Sequence, residues 1–380
     1  MAILFLNKWL KHPQLSRQLK LIKSGLKGKG NEPFNGAALT IEEKTIIDNI
    51  RKKTAVLNKN NITRTKAYLD FYIQHPTMHW PLLAHMVSRN AGWNMTDLKG
   101  DLLSRLLTID EQEMFFSFME RANWLIFQDA YPQLLLYEES VKRGEPLFYL
   151  LPYMDISIFM EVIWSLLWET DHSDLLTIAL IINEQNYIEN RVVRNAIYQK
   201  EVIHTIEFKL QDMFSFNYIL FPYTNHSIVH FSGQVVHLFD ELKERILLGK
   251  KLYRLLFQNE STLRSIVKWA VNHEHTGSRK DYWPHIFNNV QEGYPNQPYH
   301  ARLSKGKLKS GAKKIYSPSL VYAWENQIQP AAETGDWYRD AKIITDLIYR
   351  KENVDDKIKE KYCDSLEKLE LAVVAKNIIF

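Results

Sequence analysis

Apolar residues recur at three- and four-residue spacing along almost the whole chain, and this periodicity narrows the fold more than any other feature. Alternating β-branched runs bounded by turn pairs are scarce, and no internal repeat of roughly 20 to 50 residues is visible. With 380 residues, 46% of them hydrophobic and 24% charged, the chain can bury a sizeable core. The expected fold class is all-α. A large multi-helix domain over 39–330 follows a basic amphipathic tail and Gly-rich linker at 1–38. A loop-rich basic insertion lies at 273–318, and 331–380 reads as a C-terminal helical extension.

Local signals set the first elements. Thr40 and Glu43 form a capping box for a helix to about Leu57. A second helix begins at Asn61 or Thr63 and ends before His75-Pro76. A third runs from Trp80 to Ala91, with Gly92 as a left-handed cap and Asn94 or Thr96 capping the next helix. A long helical run spans Asp110 to about Lys142, where Pro132 is expected to kink or split it. Further helices are expected near 155–169, 174–186, 189–214, 232–258 and 260–272, and again from Ser319 to Phe380.

The third helix carries the most informative polar residues. Leu82, Leu83, Met86 and Val87 make its core face, and Asn90 falls in the middle of that face. His85 and Arg89, four apart, share one edge with Ser88, while the small residues Ala84 and Ala91 lie on the back. A buried amide is costly unless it is hydrogen-bonded, so one reading is a helix corner held by a polar network. The other is a pocket for an anionic or carboxylate ligand, lined by Arg64, His79, His85, Ser88, Arg89, Asn90, Asn94 and Asp97. Its enzymatic form would use Arg64, His79, His85 and Arg89 with Asp97 on an anionic substrate.

The stretch "NITRTKAYLDFYIQHPTMHWPLLAHMVSRNAGWNMTDLKGDLL" resembles a signature block of the YppC-like proteins of Bacillus-type bacteria, a family of unknown function. "ERANWLIFQDAYPQLLLYEES", "LIINEQNYIE", "ERILLGKKLYRLLF" and "RKDYWPHIF" are similar to further blocks, so the resemblance covers roughly residues 40 to 330. It implies a family and supports Asn61 to Asp97 as a unit. It implies no activity, cofactor or catalytic residue.

Net charge is only +4, but it is unevenly placed. Residues 1–30 and 301–314 contain Lys and Arg and no acid, which leaves the rest of the chain acidic. Arg279, Arg302, Lys305, Lys307, Lys309, Lys313 and Lys314 are the candidate anion contacts of the second basic segment. Aromatics surround them (Tyr282, Trp283, Phe287, Tyr294, Tyr299, Tyr316), a pattern that can bind single-stranded nucleic acid. With no nucleic-acid motif present, the better reading is a solvated loop whose aromatics anchor its ends to the body, as Trp283 does before Pro284. The tail could lie on an anionic membrane through Ile3, Phe5, Trp9 and its lysines.

Other motifs carry less. Glu169/His172 and Glu201/His204 have the spacing of di-iron ligands but not the helix faces or order, and His226, His230 and His237 lack a matched further ligand, so no metal is expected. "GKLKSGAKK" lacks the ending of a phosphate-binding loop. The single cysteine, Cys363, fits a reducing compartment. No run is long and apolar enough to span a bilayer. The expectation is a cytoplasmic binding protein for an anionic ligand, a partner or a membrane face. Neither a cofactor nor a protein partner can be named from these residues.

Overall fold

The structure is a computed structural model that describes residues 13–29, 37–168, 173–205, 218–225, 228–236, 238–292, 297–348 and 358–379. The fold is a mainly helical multi-helix domain. Its principal helices are α1 (Pro13–Lys29), α2 (Ile41–Leu57), α3 (Asn61–Gln74), α4 (His79–Asp97), α5 (Ile109–Arg143), α6 (Ile158–Leu167), α7 (Ser173–Ile188), α8 (Leu242–Phe257), α9 (Glu260–Asn272) and α10 (Ile358–Ile379). A β-hairpin lies between α7 and α8 in sequence, β1 (Tyr218–Asn225) pairing antiparallel with β2 (Ile228–Val235) from Tyr218 opposite Val235 to Asn225 opposite Ile228.

Helix starts follow side-chain chemistry. Thr40 and Glu43 close the expected capping box on α2, Asn60 and Thr63 do the same on α3, and Thr108 and Glu111 on α5. Helix α5 then runs 35 residues, without the break expected at Pro132, and ends at Gly144 in the left-handed conformation. Around α5 pack α2, α3, α4 and α7, while α1 lays Ile22 and Leu26 against α6.

Helix α4 is the centre of the domain. It touches α3, α5, α7, α8 and β1, and 15 of its 19 residues are buried. Gly92 is not its cap. The helix continues to Asp97, and Gly92 lies where a Cβ would come within 2.5 Å of Asn61 Oδ1 and 2.6 Å of the His275 ring. Glycine is needed there for close approach.

The hairpin replaces the start of the helix expected over 232–258, and in place of the helix expected over 189–214 the described residues form short turns at Glu189–Val193, Ala196–Tyr198 and Gln199–Ile203. The seam Val235, Phe239, Leu242, Ile246 has helical spacing, but only its second half lies in α8, which begins at Leu242. Asn90 explains how the hairpin is held. Its Oδ1 accepts from the Leu220 backbone N–H at 2.8 Å and its Nδ2 donates to the Leu220 carbonyl at 3.0 Å. One amide thus satisfies the outer edge of β1 as a third strand would.

From Ser319 onward the expected helical pattern is met only in part, chiefly by α10. After a short turn at Leu320–Ala323, residues 324–340 have no regular structure. Their carbonyls are met by arginines of the core: Arg121 reaches Pro330 at 2.6 Å, and Arg191 reaches Glu333 at 2.9 Å and Gly335 at 2.7 Å. The described residues of segment 273–318 are anchored, with Tyr282, Trp283, Phe287, Tyr299 and Ile315 buried and Trp283 stacked on Tyr362 at 4.5 Å. Phe287–Asn288 pairs in parallel with Ile315–Tyr316.

Asn90→Ala should destabilise the fold by about 3 kcal/mol, since two buried backbone groups of Leu220 lose their partner. Urea unfolding reads this. A loss below about 0.5 kcal/mol would show that the hairpin edge is satisfied without Asn90.

Candidate functional site

The polar residues of α4 divide into those closed off by protein and those at a cavity. On one side His85 Nδ1 lies 2.8 Å from the Thr65 carbonyl. Burial, helped by Arg89, lowers its pKa to about 3, so the ring is neutral. Arg89 donates to the carbonyls of His273 at 2.7 Å and Glu274 at 3.0 Å, at the C-terminus of α9, and lies 4.7 Å from the centroid of Trp269. His275, also buried and neutral, meets Asn61 Oδ1 at 2.7 Å. Asn61 in turn donates to Ser88, and Ser88 Oγ shares a 2.5 Å hydrogen bond with Thr65. His79 stacks on Phe257 at 4.1 Å and meets the Tyr253 hydroxyl at 2.9 Å.

Asp97 at the end of α4 forms a buried ion pair with Arg279 and accepts from Ser317 Oγ at 2.8 Å. Arg279 is only 1% exposed, lies over Trp93 at 4.3 Å and donates to Tyr362. Arg302 pairs with Asp101 at 2.9 Å, Lys309 donates to the Ala301 carbonyl, and Lys314 donates to the Pro284 carbonyl. Lys305, Lys307 and Lys313 remain exposed. The seven basic residues of this segment therefore do not form one surface.

On the other side of α4 lies a cavity of about 280 Å³, bounded by α3, α4, α5, α7, α8 and the hairpin. Arg64, Ser88, Asn90 and Asn94 line it, together with apolar side chains such as Leu83, Val87, Phe115, Phe118, Ile188 and Leu252. His79, His85, Arg89 and Asp97 do not. Ala84 and Ala91, the small residues on the back of the helix, are what leave this space open, and Ala122 of α5 does the same opposite them. Gly249 lets α8 approach α7, since a Cβ there would come within 2.6 Å of Ile181.

The acid of the cavity is Glu184 on α7, a residue whose role the periodicity of the chain does not reveal. Trp80 and Gln185 hydrogen-bond to its carboxyl, and burial nevertheless pushes its pKa up to about 8. Although surrounded by protein, it retains accessible surface, and that surface faces the cavity. Tyr68 lies within electrostatic reach of both Glu184 and Arg64. Arg64 pairs with Glu120 at 2.5 Å, and Arg245, also in the lining, pairs with Glu189.

A second buried acid lies deeper. Asp129 on α5 accepts from Gln133 Nε2 at 3.0 Å and from Asn183. Trp164 and Trp337 donate to the far oxygens of those two amides, at 2.9 Å and 2.8 Å. Burial raises the pKa of Asp129 to about 7. An acid set among apolar residues, in "LIINEQNYIE" and "LIFQDAYP", is the signal that points to both.

Glu169, His172, His226, His237, Tyr294 and the tail residues Ile3, Phe5 and Trp9 lie outside the described residues. Glu201 pairs with Lys200, and His230 stacks on Tyr223 at 5.5 Å. Among the described residues no group of three His, Cys, Asp or Glu is placed to hold a metal, and no helix is long and apolar enough to cross a membrane.

The family model described as protein of unknown function (DUF2515) matches residues 56–360, and the chain belongs to this family. Uncharacterized protein YppC of Bacillus subtilis (strain 168) is 47% identical over 236 residues, which is 62% of this chain and 72% of YppC. No solved structure matches.

Arg279→Met should cost about 3–5 kcal/mol in urea unfolding, because it strands Asp97 in the interior. Lys305→Ala and Lys307→Ala should stay within about 0.5 kcal/mol of the parent. A mild Arg279→Met would return that residue to the surface anion contacts. Glu184 gives a pH prediction. Its pKa is raised from 4.5 to about 8, so its contribution is fully present below 4.5 and lost as pH rises toward 8. Glu184→Gln should therefore gain stability relative to the parent across that window, by at most about 1.4 kcal/mol per pH unit, and level off above it. Parallel stability curves for the two proteins would refute the raised pKa.

Proposed function

We propose that this member of the DUF2515 family is a binding protein for a small, mainly apolar molecule held in the cavity behind α4. One observation carries the reading. A cavity of about 280 Å³ with a mainly apolar wall has an accessible carboxyl, Glu184, as its acidic group. Ligand sites are commonly of this kind, concave and apolar with a few placed polar groups. Of the eight residues expected to form a ligand pocket, Arg64, Ser88, Asn90 and Asn94 belong to this lining. His85 and Arg89 support it from the opposite face of the helix. The enzymatic alternative has less support, since His79, His85, Arg89 and Asp97 each face a different set of protein partners. The single cysteine fits a cytoplasmic setting.

A second reading keeps one observation of its own. Lys305, Lys307 and Lys313 are exposed with no acid in the same run of sequence, which suits an anionic surface.

Nile red, an apolar fluorophore, tests the cavity directly. It should bind the parent protein saturably, and Ala84→Phe, which fills the cavity from α4, should abolish that binding while circular dichroism and unfolding stay near the parent's. Equal Nile red binding by a folded Ala84→Phe variant would remove the cavity as the site.

A further inference from the structure

We propose that the occupant of the cavity is a medium-chain carboxylic acid, its chain along the apolar wall and its carboxyl hydrogen-bonded to Glu184. This rests on the cavity being a ligand site and adds the chemistry of the head group. Three features point to it.

The first is the sign of the lining. Arg64 and Arg245 are in it, whereas their counterions Glu120 and Glu189 are not. Glu184 is the one acid of the lining, so a cationic head would meet two arginines and a single carboxyl. An anionic or neutral acceptor meets the opposite balance.

The second is the direction of the hydrogen bonds at Glu184. The Trp80 indole N–H and the Gln185 amide both donate into its carboxyl. They occupy two of its acceptor positions, and with its proton retained the group also has an O–H to donate into the cavity. A carboxylic acid with its proton retained binds an acceptor, and a carboxylate is the strongest acceptor among simple head groups.

The third is the set of charges facing Glu184. Tyr68 on α3 and Asp129 on α5 lie within electrostatic reach of it, while Arg64 on α3 and Arg245 on α8 line the same cavity and are paired with Glu120 and Glu189. Asp129 raises the affinity of Glu184 for its proton, as burial does more strongly. Glu184 therefore holds that proton at neutral pH. The complex is then one proton shared between two carboxyls, with the ligand supplying the charge. No bond is made or broken beyond this hydrogen bond. The apolar remainder of the wall, from Leu83 and Val87 to Phe115 and Leu252, suits an alkyl chain.

Isothermal titration calorimetry of the full chain with decanoate and decylamine separates the cases, with Nile red as the reporter of the cavity itself. Simple carboxylic acids ionise well below neutral pH, so any pH dependence of decanoate binding between about 7 and 9 belongs to the protein. Decanoate should bind and decylamine should not. Decanoate affinity should fall roughly tenfold from pH 7 to pH 9 in the parent protein and should be nearly flat in Glu184→Gln. Should Glu184→Gln not fold, the decanoate and decylamine comparison on the parent decides alone. Decylamine binding without decanoate overturns the head-group assignment and leaves the cavity reading intact. Nile red binding with neither alkyl probe does the same. No binding of any of the three overturns both.

Discussion

Helix α4 runs through the interior with no face turned fully to water, and every polar side chain it carries must be answered by protein. This requirement organises the molecule. The arginines cost most to bury, and each is met either by a carboxylate, as Arg64 is by Glu120, or by fixed dipoles and aromatic faces, as Arg89 is. Arg89 sits against the terminal carbonyls of α9 and over Trp269, which couples α4 to α9 through a helix end. Asp97 draws Arg279 inward and so fixes segment 273–318. Asn90 holds the hairpin by its edge. Elements distant in sequence are thus tied to one helix through backbone groups that would otherwise need water.

The same logic extends to the irregular C-terminal segment. A stretch without regular structure cannot be laid on a core unless its carbonyls are satisfied. Arg121 and Arg191 reach them from α5 and from the turn after α7. Asp336 in turn accepts from the Ile158 backbone N–H at 2.8 Å, at the start of α6. Side-chain guanidinium groups here do what a neighbouring strand does in a sheet.

Much of the helical layout was legible because its signals are local. The capping box of Thr40 and Glu43 sits where short-range hydrogen bonds require it, and the apolar spacing of α5 and α7 follows from helix geometry, whereas the caps Asn60 and Thr108 emerge only in the structure. The hairpin was not legible because Val235, Phe239, Leu242 and Ile246 satisfy a helical spacing equally well, and only the long-range contact to Asn90 distinguishes the two. Gly92 could not be told from a cap for the same reason, since what demands glycine is His275, far away in sequence. The candidate site was half legible. Arg64, Ser88, Asn90 and Asn94 lie close in sequence and do reach one cavity, whereas Glu184 reaches it only through packing of α7 on α4.

The cavity behind α4 leaves space inside an otherwise closely packed interior. Elsewhere the core is filled by large buried rings, among them Trp93, Trp164 and Phe127. Space of this kind among apolar side chains forgoes packing contacts. Leucine at Ala84, Ala91 or Ala122 would recover some of them with no change in helix propensity that matters. Three small residues facing one another across α4 and α5, beside a carboxyl held against its ordinary ionisation, are a poor solution for stability alone. They are a consistent solution for an occupant that supplies the missing contacts and an acceptor for the Glu184 proton.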